Sequence, residues 1–354
     1  MVDNSRGWGG AEELLLSLAT ELRNRGHYVG MFLRDSSPTV EKLTAANFPV
    51  WTAKRNGISY LIYMFKLAAV VRNEKIDLIH VHRSHDVIVS SFAALVGRVP
   101  LVLTQHTHLS KWSSLLVFLT SRIVAVSAFV AKGICANVAR SKNKVVVIHN
   151  GIKIHKLTDR DPDYWKKKLG KDVQGPLLGV VGFFYKNQQE LIELLPDIRS
   201  VFPSAMLIVI GQDDHNKWML EEKAASLGVT ESVYFAGQIP HNEMHKALGA
   251  LDLNLSAYKR EPFGLHVIEG MASGTPLVAY QAGGFPEIVE HNRSGYLATT
   301  KDDLLQAIIS ILGDRQRLDR MSRYGRKKVE RDFSILTMVT KYESLYSELV
   351  NKNC

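Results

Sequence analysis

The chain has 354 residues, of which 46% are hydrophobic and 22% are charged. Since one compact core rarely accommodates this length, we expect two domains, neither of which needs a metal or a disulfide to fold. Lysine and arginine outnumber the acidic residues 44 to 35, which gives a net charge of +9. This excess favours polyanionic partners such as nucleic acid, acidic lipid or phosphorylated ligands.

The sequence shows neither an export signal nor a membrane span. The first residues, MVDNSRGWGG, lack a basic segment followed by an apolar one, and no run of about 18 uncharged apolar residues occurs. The two cysteines, Cys135 and Cys354, have no paired ligand spacing. We therefore expect a cytoplasmic protein in a reducing compartment, neither secreted nor membrane-spanning.

The hydrophobic pattern of the first half alternates helices with strands. Ala11–Arg25 carries apolar residues at helical spacing, and Gly26 ends this helix. Further apolar runs predict strands at Tyr28–Leu33, Ile76–Val81, Leu101–Thr104, Ile123–Val126 and Val145–Ile148. Such an order of elements predicts βα units and a parallel sheet.

The second half restarts the same alternation after a polar segment, residues 153–175. Strands are predicted at Leu177–Gly182, Ala205–Ile210, Val233–Ala236, Leu253–Ser256, Leu277–Ala279 and Gly295–Ala298. Residues 302–354 have a wholly helical pattern that is rich in Arg and Lys. We therefore predict an α/β fold of two Rossmann-like domains, divided near residue 153 and followed by C-terminal helices.

The segment Glu261–Gly274, EPFGLHVIEGMASG, carries the strongest chemical signal. Pro262 is suited to a first helical position. A helix that starts there would point the free N–H groups of Phe263, Gly264 and Leu265 at an anionic diphosphate. Gly264 would let the phosphate approach the backbone closely.

Two acidic residues of this segment, Glu261 and Glu269, are eight positions apart, about two helical turns. In that arrangement Glu269 would accept hydrogen bonds from ribose hydroxyls, while Glu261 would face a transferred sugar. The alternative is structural: Glu261 caps a helix and Glu269 lies on its solvated face.

The same segment resembles the E-x7-E signature of the group 1 glycosyltransferases, also called family 4, and the similarity continues through TPLVAYQAGGFPEIVEHNRSGYL. The resemblance implies the GT-B fold, in which two Rossmann-like domains face each other across a cleft. Residues 1–153, joined by a helix at about 338–354, would bind the acceptor. Residues 154–337 would bind a nucleotide-sugar donor, and the transfer would retain the anomeric configuration.

Two further segments of the first domain resemble this family. Gly9 and Gly10 lie in a glycine-rich loop that opens the first helix, where backbone N–H groups would face the donor phosphates and the acceptor. The sequence departs from the family by leaving almost no residues for the first strand. His106 follows a predicted strand at the position of a family histidine that faces the donor sugar and the acceptor. The structural alternative for Gly9 and Gly10 is a flexible loop, and that for His106 is a hydrogen-bonded loop histidine.

The second domain offers a cation for the donor phosphates. Lys186, a few residues after the glycine that ends a predicted strand, matches the family lysine that neutralises the diphosphate. Its structural alternative is a solvated loop charge. Most relatives carry an arginine directly after that glycine, whereas this chain has Phe183, which lowers the number of cations at the phosphates.

No metal or cofactor is expected beyond the nucleotide-sugar co-substrate. His80 and His82 project to one face of a strand without a nearby acidic ligand, so that metal binding is disfavoured there. No D-x-D triplet stands where a metal-dependent transferase would need one, and Asp213-Asp214 is better suited to a turn. We expect metal-independent transfer by same-face attack, with the leaving phosphate helping to deprotonate the acceptor.

The acceptor and the donor base stay open at this stage. UDP-, GDP- and ADP-linked sugars are all permitted. Tyr60–Arg72 and Lys111–Arg122 mix apolar, aromatic and cationic residues, so they are either ordinary amphipathic helices or segments that bind an acidic membrane surface. Peripheral association with the inner face of the cytoplasmic membrane would fit a glycolipid, lipopolysaccharide or polysaccharide precursor as acceptor.

Two other functions remain as alternatives. A nucleotide-sugar epimerase or a phosphorylase can occupy a related two-domain scaffold, since fold does not fix function. A basic nucleic-acid-binding protein is suggested by the net charge and by residues 315–331, RQRLDRMSRYGRKKVER. That second alternative leaves the signature segment unexplained, and nucleic acid is not expected as a partner.

Overall fold

The structure is a computed structural model that describes residues 1–5, 7, 9–54, 59–107, 117–138, 141–154, 161–170, 174–213 and 215–352. Trp8, Asp214, Cys354 and the first half of the segment Lys111–Arg122 lie outside the described residues. The chain divides into two compact units. Unit 1 comprises Met1–Ile152 and Ile335–Cys354, and unit 2 comprises Lys153–Ser334.

Unit 1 is built on a parallel sheet of seven strands. Its strands are β1 (Val2–Asp3), β2 (Met31–Arg34), β3 (Val50–Ala53), β4 (Ile79–Val81), β5 (Leu101–Gln105), β6 (Arg122–Ala125) and β7 (Val145–Val147). Its first five helices are α1 (Gly10–Asn24), α2 (Thr39–Ala45), α3 (Ser59–Asn73), α4 (Val87–Gly97) and α5 (Ala128–Asn137). The strand order β3-β2-β1-β4-β5-β6-β7 reverses once, between β1 and β4.

The first strand shows how few residues a central parallel strand needs. β1 has only two residues, yet Val2 lies opposite both Phe32 of β2 and Val81 of β4. The short first strand expected from the sequence therefore pairs with strands on both of its sides in the middle of the sheet.

Unit 2 repeats the architecture with six parallel strands. Its strands are β8 (Leu177–Val181), β9 (Met206–Ile210), β10 (Val233–Gly237), β11 (Leu253–Ser256), β12 (Leu277–Tyr280) and β13 (Gly295–Ala298). Its helices are α6 (Tyr164–Leu169), α7 (Gln188–Val201), α8 (Lys217–Ser226), α9 (His241–Gly249), α10 (Leu265–Ala272), α11 (Phe285–Ile288), α12 (Lys301–Gly313) and α13 (Arg315–Asp332). The order β10-β9-β8-β11-β12-β13 reverses between β8 and β11.

Both faces of the second sheet are covered, as the continuous apolar strands require. On β9, Leu207 and Val209 belong to one core cluster, whereas Met206, Ile208 and Ile210 belong to another, which packs around Trp165. Alternate residues of one strand thus supply two separate hydrophobic layers, since successive side chains point to opposite faces.

The last helix, α14 (Ile335–Asn351), returns to unit 1. Its first N–H, from Ile335, donates to the carbonyl of Ile152 at 2.9 Å. The apolar face of α14 buries Met338, Val339 and Tyr342 in the same core cluster as Leu18 of α1. Its burial explains why the helical tail is aromatic and apolar on one side only.

The basic run of the sequence forms α13, and several of its charges have local partners. Lys328 lies 3.2 Å from Glu290 and 3.0 Å from Asp332, and the Tyr324 hydroxyl donates to Glu290. One turn before Lys328, Gly325 lies against Met271 of α10. Helix α13 therefore packs against α10, which gives a structural role to the segment that suggested nucleic-acid binding.

No helix of the described ranges is both long enough and apolar enough to cross a bilayer. The α/β architecture of two parallel-sheet domains with C-terminal helices, predicted from the sequence, is confirmed.

Candidate active site

The polar residues of unit 2 gather where β8, β11 and β12 end. Parallel strands of an open sheet present their carboxyl ends at one edge, and ligands bind there, outside the point where the strand order reverses. The loop after β8 carries Lys186, and the segment after β11 carries Glu261. In unit 2 the reversal lies between these two strands.

An ion pair joins the two loops. The Lys186 ammonium donates to Glu261 Oε2 at 2.7 Å, and both side chains are largely buried. Gly182 lies under the Lys186 stem, since an added Cβ there would come within 2.8 Å of the lysine Cδ. Burial makes the pair costly to break by removing one partner, because the remaining charge would be left without compensation. The ion pair brings together two of the residues that the sequence singled out.

Helix α10 begins later than the sequence predicted. Its first residue is Leu265 and its N-cap is Gly264, so the prediction of a start at Pro262 is wrong. The reason is the backbone of Gly264, which has a φ of +105° and redirects the chain in a conformation that L-residues rarely adopt. Glu261 consequently precedes the helix, and Glu269 is its fifth residue.

The late start changes which amides lie at the end of the helix. The Val267 N–H already donates to the Gly264 carbonyl at 3.0 Å. The N–H groups of Leu265 and His266 come before this first helical bond and are the first-turn donors of α10. Phe263 and Gly264 lie in the preceding turn, where the Phe263 ring is buried against Phe333 at a centroid distance of 6.0 Å. Phe263 therefore contributes its side chain to the core.

Two glycines after β12 hold the Glu261 segment in place. Gly284 donates its N–H to the Glu261 carbonyl at 2.8 Å. Gly283 has a φ of +62°, and a Cβ added to it would lie 2.6 Å from the same carbonyl oxygen. Gly283 and Gly284 thus permit two backbone segments to approach so closely that a side chain at either position would collide with the facing backbone.

His266, which the sequence analysis did not select, lies beside this ion pair. Its Nε2 is buried without a hydrogen-bond partner among the described residues. Burial, more than the opposing fields of Glu261 and Lys186, lowers the pKa of His266 to about 4. Its ring is therefore neutral at pH 7 and has one nitrogen without a hydrogen-bond partner among the described residues. Only the folded structure shows this burial, so the sequence offered no reason to select His266.

In unit 1 the candidate residues gather at the corresponding sheet edge. Gly10 is the first residue of α1 and Gly9 its exposed N-cap, and the Gly9 N–H donates to Glu12 Oε2 at 2.9 Å. His106 directly follows β5. These three residues, which the sequence selected, are placed by β1 and β5, on either side of β4.

An arginine that the sequence analysis missed links the same loops. The guanidinium of Arg83, just after β4, is hydrogen-bonded to Glu12 and lies 3.3 Å from Asp3. Burial raises the pKa of Asp3 to about 6, although Arg83 opposes this shift. The signal that could have found Arg83 is its place directly after a strand that borders the reversal point.

His106 belongs to a stack of three imidazoles. The ring centroids of His80 and His82 are 4.1 Å apart, and those of His82 and His106 are 5.8 Å apart at an interplanar angle of 20°. His80 is held by hydrogen bonds of 2.7 Å to Thr104 and to Tyr346 of α14. Helix α14 thereby fixes the first ring of the stack.

The other two rings have unsatisfied nitrogens. Both nitrogens of His82 and the Nε2 of His106 are buried without a partner among the described residues. Burial, with a smaller contribution from Arg83, lowers the pKa of His106 to about 4, and burial likewise lowers that of His82 well below its usual value. At pH 7 the stack is therefore uncharged. Over the described ranges no group of His, Cys, Asp and Glu has the geometry of a metal site.

Comparison with known proteins finds similarities over both halves of the chain. A family model described as Glycosyl transferases group 1 matches residues 161–328, and one described as Glycosyltransferase Family 4 matches residues 8–156. Over 345 residues the chain is 25% identical to a phosphatidyl-myo-inositol mannosyltransferase of Mycobacterium leprae, covering 93% of this chain and 90% of the relative.

Two further similarities extend over nearly the whole chain. An N-acetyl-alpha-D-glucosaminyl L-malate synthase of Bacillus anthracis is 23% identical over 365 residues, covering 97% of this chain and 94% of the relative. The crystal structure of HepE from Anabaena in complex with UDP and glucose has a TM-score of 0.85 at 24% identity and covers 98% of both chains. The two Rossmann-like domains of the expected GT-B fold are thereby confirmed.

The close approach at Gly283 yields a test with a matched control. We expect Gly283→Ala to cost about 1–3 kcal/mol more stability than Gly228→Ala, because both have a φ near +65° but only Gly283 faces backbone within 3 Å. Gly283→Ala should also weaken nucleotide-sugar binding, since it displaces Glu261. Urea unfolding and calorimetric titration measure the two effects. Equal losses in both variants would contradict the assigned role of the glycine.

The buried imidazole of His106 makes stability depend on pH. Its pKa of about 4 in the folded chain lies below the unfolded value of 6.5, so unfolding takes up a proton between these pH values. From pH 7 to pH 5 this residue should reduce the unfolding free energy by about 2 kcal/mol. Asp3, whose pKa is raised to about 6, acts in the opposite direction.

The variant His106→Gln removes this titration. Its unfolding free energy should therefore fall less steeply than that of the wild type between pH 7 and pH 5. Denaturation curves at both pH values supply the comparison, and NMR titration of the His106 ring gives the pKa directly. Parallel pH dependences, or a ring that titrates near 6.5, would disprove the burial argument.

Proposed function

This chain belongs to the group 1, or family 4, glycosyltransferases, and on that premise we propose that it is a retaining enzyme that uses a nucleotide-sugar donor. The observation that carries the proposal is the buried ion pair of Lys186 and Glu261 beside the first turn of α10. A cation, a carboxylate and two first-turn amides stand together at the reversal point of one sheet. This set matches the needs of a sugar diphosphate.

The donor is proposed to bind unit 2. Its diphosphate would accept hydrogen bonds from the Lys186 ammonium and from the N–H groups of Leu265 and His266, with Gly264 allowing close approach. Glu269, half-buried and four residues into the helix, would accept hydrogen bonds from the ribose. Glu261 would face the transferred sugar and hold Lys186 in position. The relative HepE was crystallised with UDP and with UDP-glucose, which supports a nucleotide-sugar donor here.

Transfer breaks the bond between the sugar C1 and the phosphate oxygen and forms one between C1 and an acceptor hydroxyl oxygen. Negative charge grows on the leaving diphosphate, so a placed cation and oriented N–H dipoles lower the barrier. The acceptor proton is proposed to pass to a leaving phosphate oxygen, on the same face of the sugar. These protein groups supply the stabilisation that a divalent ion would otherwise give, and we propose metal-independent transfer.

The acceptor is proposed to bind unit 1 at the reversal point between β1 and β4. Gly9 and Gly10 leave the amino end of α1 exposed, and the uncharged ring of His106 can accept or donate a hydrogen bond with a hydroxyl. An acceptor of carbohydrate or lipid-linked type fits such groups. We propose a glycolipid, lipopolysaccharide or polysaccharide precursor as acceptor, and the name of the mycobacterial relative, a phosphatidyl-myo-inositol mannosyltransferase, supports the glycolipid.

A membrane surface is proposed to receive the outer face of α3 and α4. The two helices expose Leu61, Ile62, Phe65, Ile88, Leu95 and Val96, and Phe65 is 62% and Leu95 77% exposed. Phe65 and Phe92 contact edge to face at 5.3 Å, and a Cβ added to Gly97 would lie 2.5 Å from Val71. The helices therefore form one continuous apolar surface.

The charges on these helices favour an anionic lipid surface. Their sequences, residues 59–73 and 87–97, contain Lys66 and Arg72 and no acidic residue. Arg98 follows at the end of α4 and is exposed. An apolar face bordered by cations is typical of segments that lie in the headgroup region of a bilayer. The Tyr60–Arg72 segment selected from the sequence supplies half of this face.

The donor site is tested by thermal shift and turnover with UDP-, GDP- and ADP-sugars in the presence of EDTA. One nucleotide class should stabilise the wild type, and Lys186→Met should reduce kcat by about 10²–10³-fold because a charge that stabilises the leaving group is lost. Glu269→Ala should weaken nucleotide binding with a smaller effect on kcat. The control is Lys223→Met, which removes a similarly close ion pair to Glu193 elsewhere in unit 2.

Several results would contradict this proposal. If no nucleotide sugar stabilises the protein, the proposed donor site is wrong. If activity requires added divalent ions, the proposal of metal-independent transfer is wrong. Turnover of the nucleotide sugar without an acceptor product would indicate the epimerase alternative. An NMR spectrum in which the product has the opposite anomeric configuration to the donor would rule out retention.

Membrane association is tested by sedimentation with vesicles of phosphatidylcholine alone and with vesicles that also contain phosphatidylglycerol, an anionic lipid that attracts basic surfaces. The wild type should bind the anionic vesicles, and the double variant Leu61→Glu/Phe65→Glu should lose most of this binding while retaining nucleotide affinity. The control Val201→Glu alters an exposed apolar residue of unit 2. Equal binding of wild type and double variant would show that another surface, or none, meets the bilayer.

A further inference from the structure

An exposed aromatic surface lies at the edge of unit 2 where the ion pair is found. Phe183 and Tyr185 are in the loop after β8, and Tyr258 is in the loop after β11. Phe183 is 45% exposed and Tyr185 56% exposed, whereas Tyr258 is half-buried behind them. We call these three residues the aromatic platform.

The platform is ordered by its own contacts. The rings of Phe183 and Tyr185 stack at a centroid distance of 5.9 Å and an angle of 9°. Tyr185 meets Tyr258 edge to face at 6.2 Å. Such pairs prefer offset-stacked and edge-to-face geometries, so the three rings hold one another in place.

A continuous chain of contacts joins the platform to the candidate donor site. The Lys186 ammonium lies 5.5 Å from the centre of the Tyr258 ring, within the range of a cation–π contact, and 2.7 Å from Glu261. A phosphate bound by Lys186 would therefore lie near Tyr258, the half-buried member of the platform.

The platform does not serve the core of unit 2. Phe184, between the two exposed rings, is buried and packs against Phe235 at 5.9 Å in the main hydrophobic cluster. The backbone of the loop is fixed independently, because the Phe183 carbonyl accepts from the Lys186 N–H at 3.1 Å and from Gln188 Nε2 at 2.8 Å. The loop thus anchors itself with Phe184 and presents the rings on both sides of it to solvent.

Given the donor site proposed above, the order of groups in a nucleotide sugar indicates which of them would contact the platform. The diphosphate separates the ribose from the transferred sugar. Glu269, proposed for the ribose, lies along α10, whereas the contacts of Lys186 with Glu261 and Tyr258 lead towards the platform. The group nearest the platform is therefore the transferred sugar, and its C–H-rich ring face suits an aromatic surface.

We propose that Phe183 and Tyr185, supported by Tyr258, form the subsite for the apolar face of the pyranose ring of the donor. The proposal rests on the proposed function and adds the residues that select the sugar. It also gives a role to the exposed rings of Phe183 and Tyr185, which the core of unit 2 does not use.

The test compares each nucleotide with its sugar conjugate by calorimetric titration: UDP with UDP-glucose, GDP with GDP-mannose and ADP with ADP-glucose. In the pair that binds the wild type, Phe183→Ala and Tyr185→Ala should weaken the conjugate about five- to tenfold. The nucleotide itself should change by less than about twofold, because it does not reach the platform. Tyr185→Phe, which keeps the ring, should retain binding of the conjugate.

Two further variants separate the sugar contact from other roles. Phe183→Arg should weaken the conjugate relative to the nucleotide if the platform holds the sugar; if it tightens both equally, the position serves the phosphates and the proposal fails. Val201→Ala, an exposed apolar truncation at the far end of α7, should change neither affinity.

Other results of the titrations would overturn the sugar subsite or the proposed function. Equal weakening of nucleotide and conjugate by Phe183→Ala, or no weakening of either, would overturn the sugar subsite while leaving the donor site in place. If no pair binds the wild type, the proposed function itself fails and the subsite fails with it. Circular dichroism of each variant shows whether the fold is retained.

Discussion

Each sheet reverses its strand order once, and this constraint determines where the chemistry of the protein lies. Between β1 and β4 in unit 1, and between β8 and β11 in unit 2, neighbouring strands connect to helices on opposite sides, so their following loops diverge and leave an opening. Gly9 and Arg83 flank the first opening, and Lys186 and Glu261 flank the second. The covering helices and the apolar layers are needed to hold these short loops at the sheet edges.

Within unit 2, the candidate donor site is built around one ion pair of zero net charge. Lys186 is held by Glu261, so under the proposed function the first turn of α10 is an important source of positive potential. Phe183 stacks on Tyr185 in the loop that carries Lys186. If the rings hold the donor sugar, the selectivity of the enzyme depends more on the shape of the sugar than on charge.

Unit 1 has a different balance. Arg83 is shared between two buried carboxylates, of Asp3 and Glu12, while the stack of His80, His82 and His106 is uncharged at pH 7 because burial lowers each pKa. A hydrogen bond with Tyr346 of α14 holds His80, so the orientation of the stack depends in part on that helix. A site of this kind offers hydrogen bonds to hydroxyl groups more than attraction to an anionic acceptor.

The alternation of apolar runs was sufficient to predict two parallel-sheet domains, because buried parallel strands must be apolar on both faces. The signature segment selected Glu261 and the family resemblance selected Lys186, and the fold brings the two into contact although they are 75 residues apart. Pattern reasoning misplaced the start of α10, since a proline suits a first turn on local grounds, whereas Gly264 adopts a positive φ of +105° that delays the helix to Leu265.

What the sequence determined by itself was therefore local: the periodicity of the elements, the signature segment and the residue types capable of holding a sugar diphosphate. The tertiary structure alone decided which groups meet and which lose water. Arg83, His82, His266 and the rings of Phe183 and Tyr185 gain their meaning from neighbours distant in the chain. Burial sets the pKa of an imidazole and leaves its nitrogens unsatisfied, and no pattern along the sequence records how much water a folded neighbour excludes.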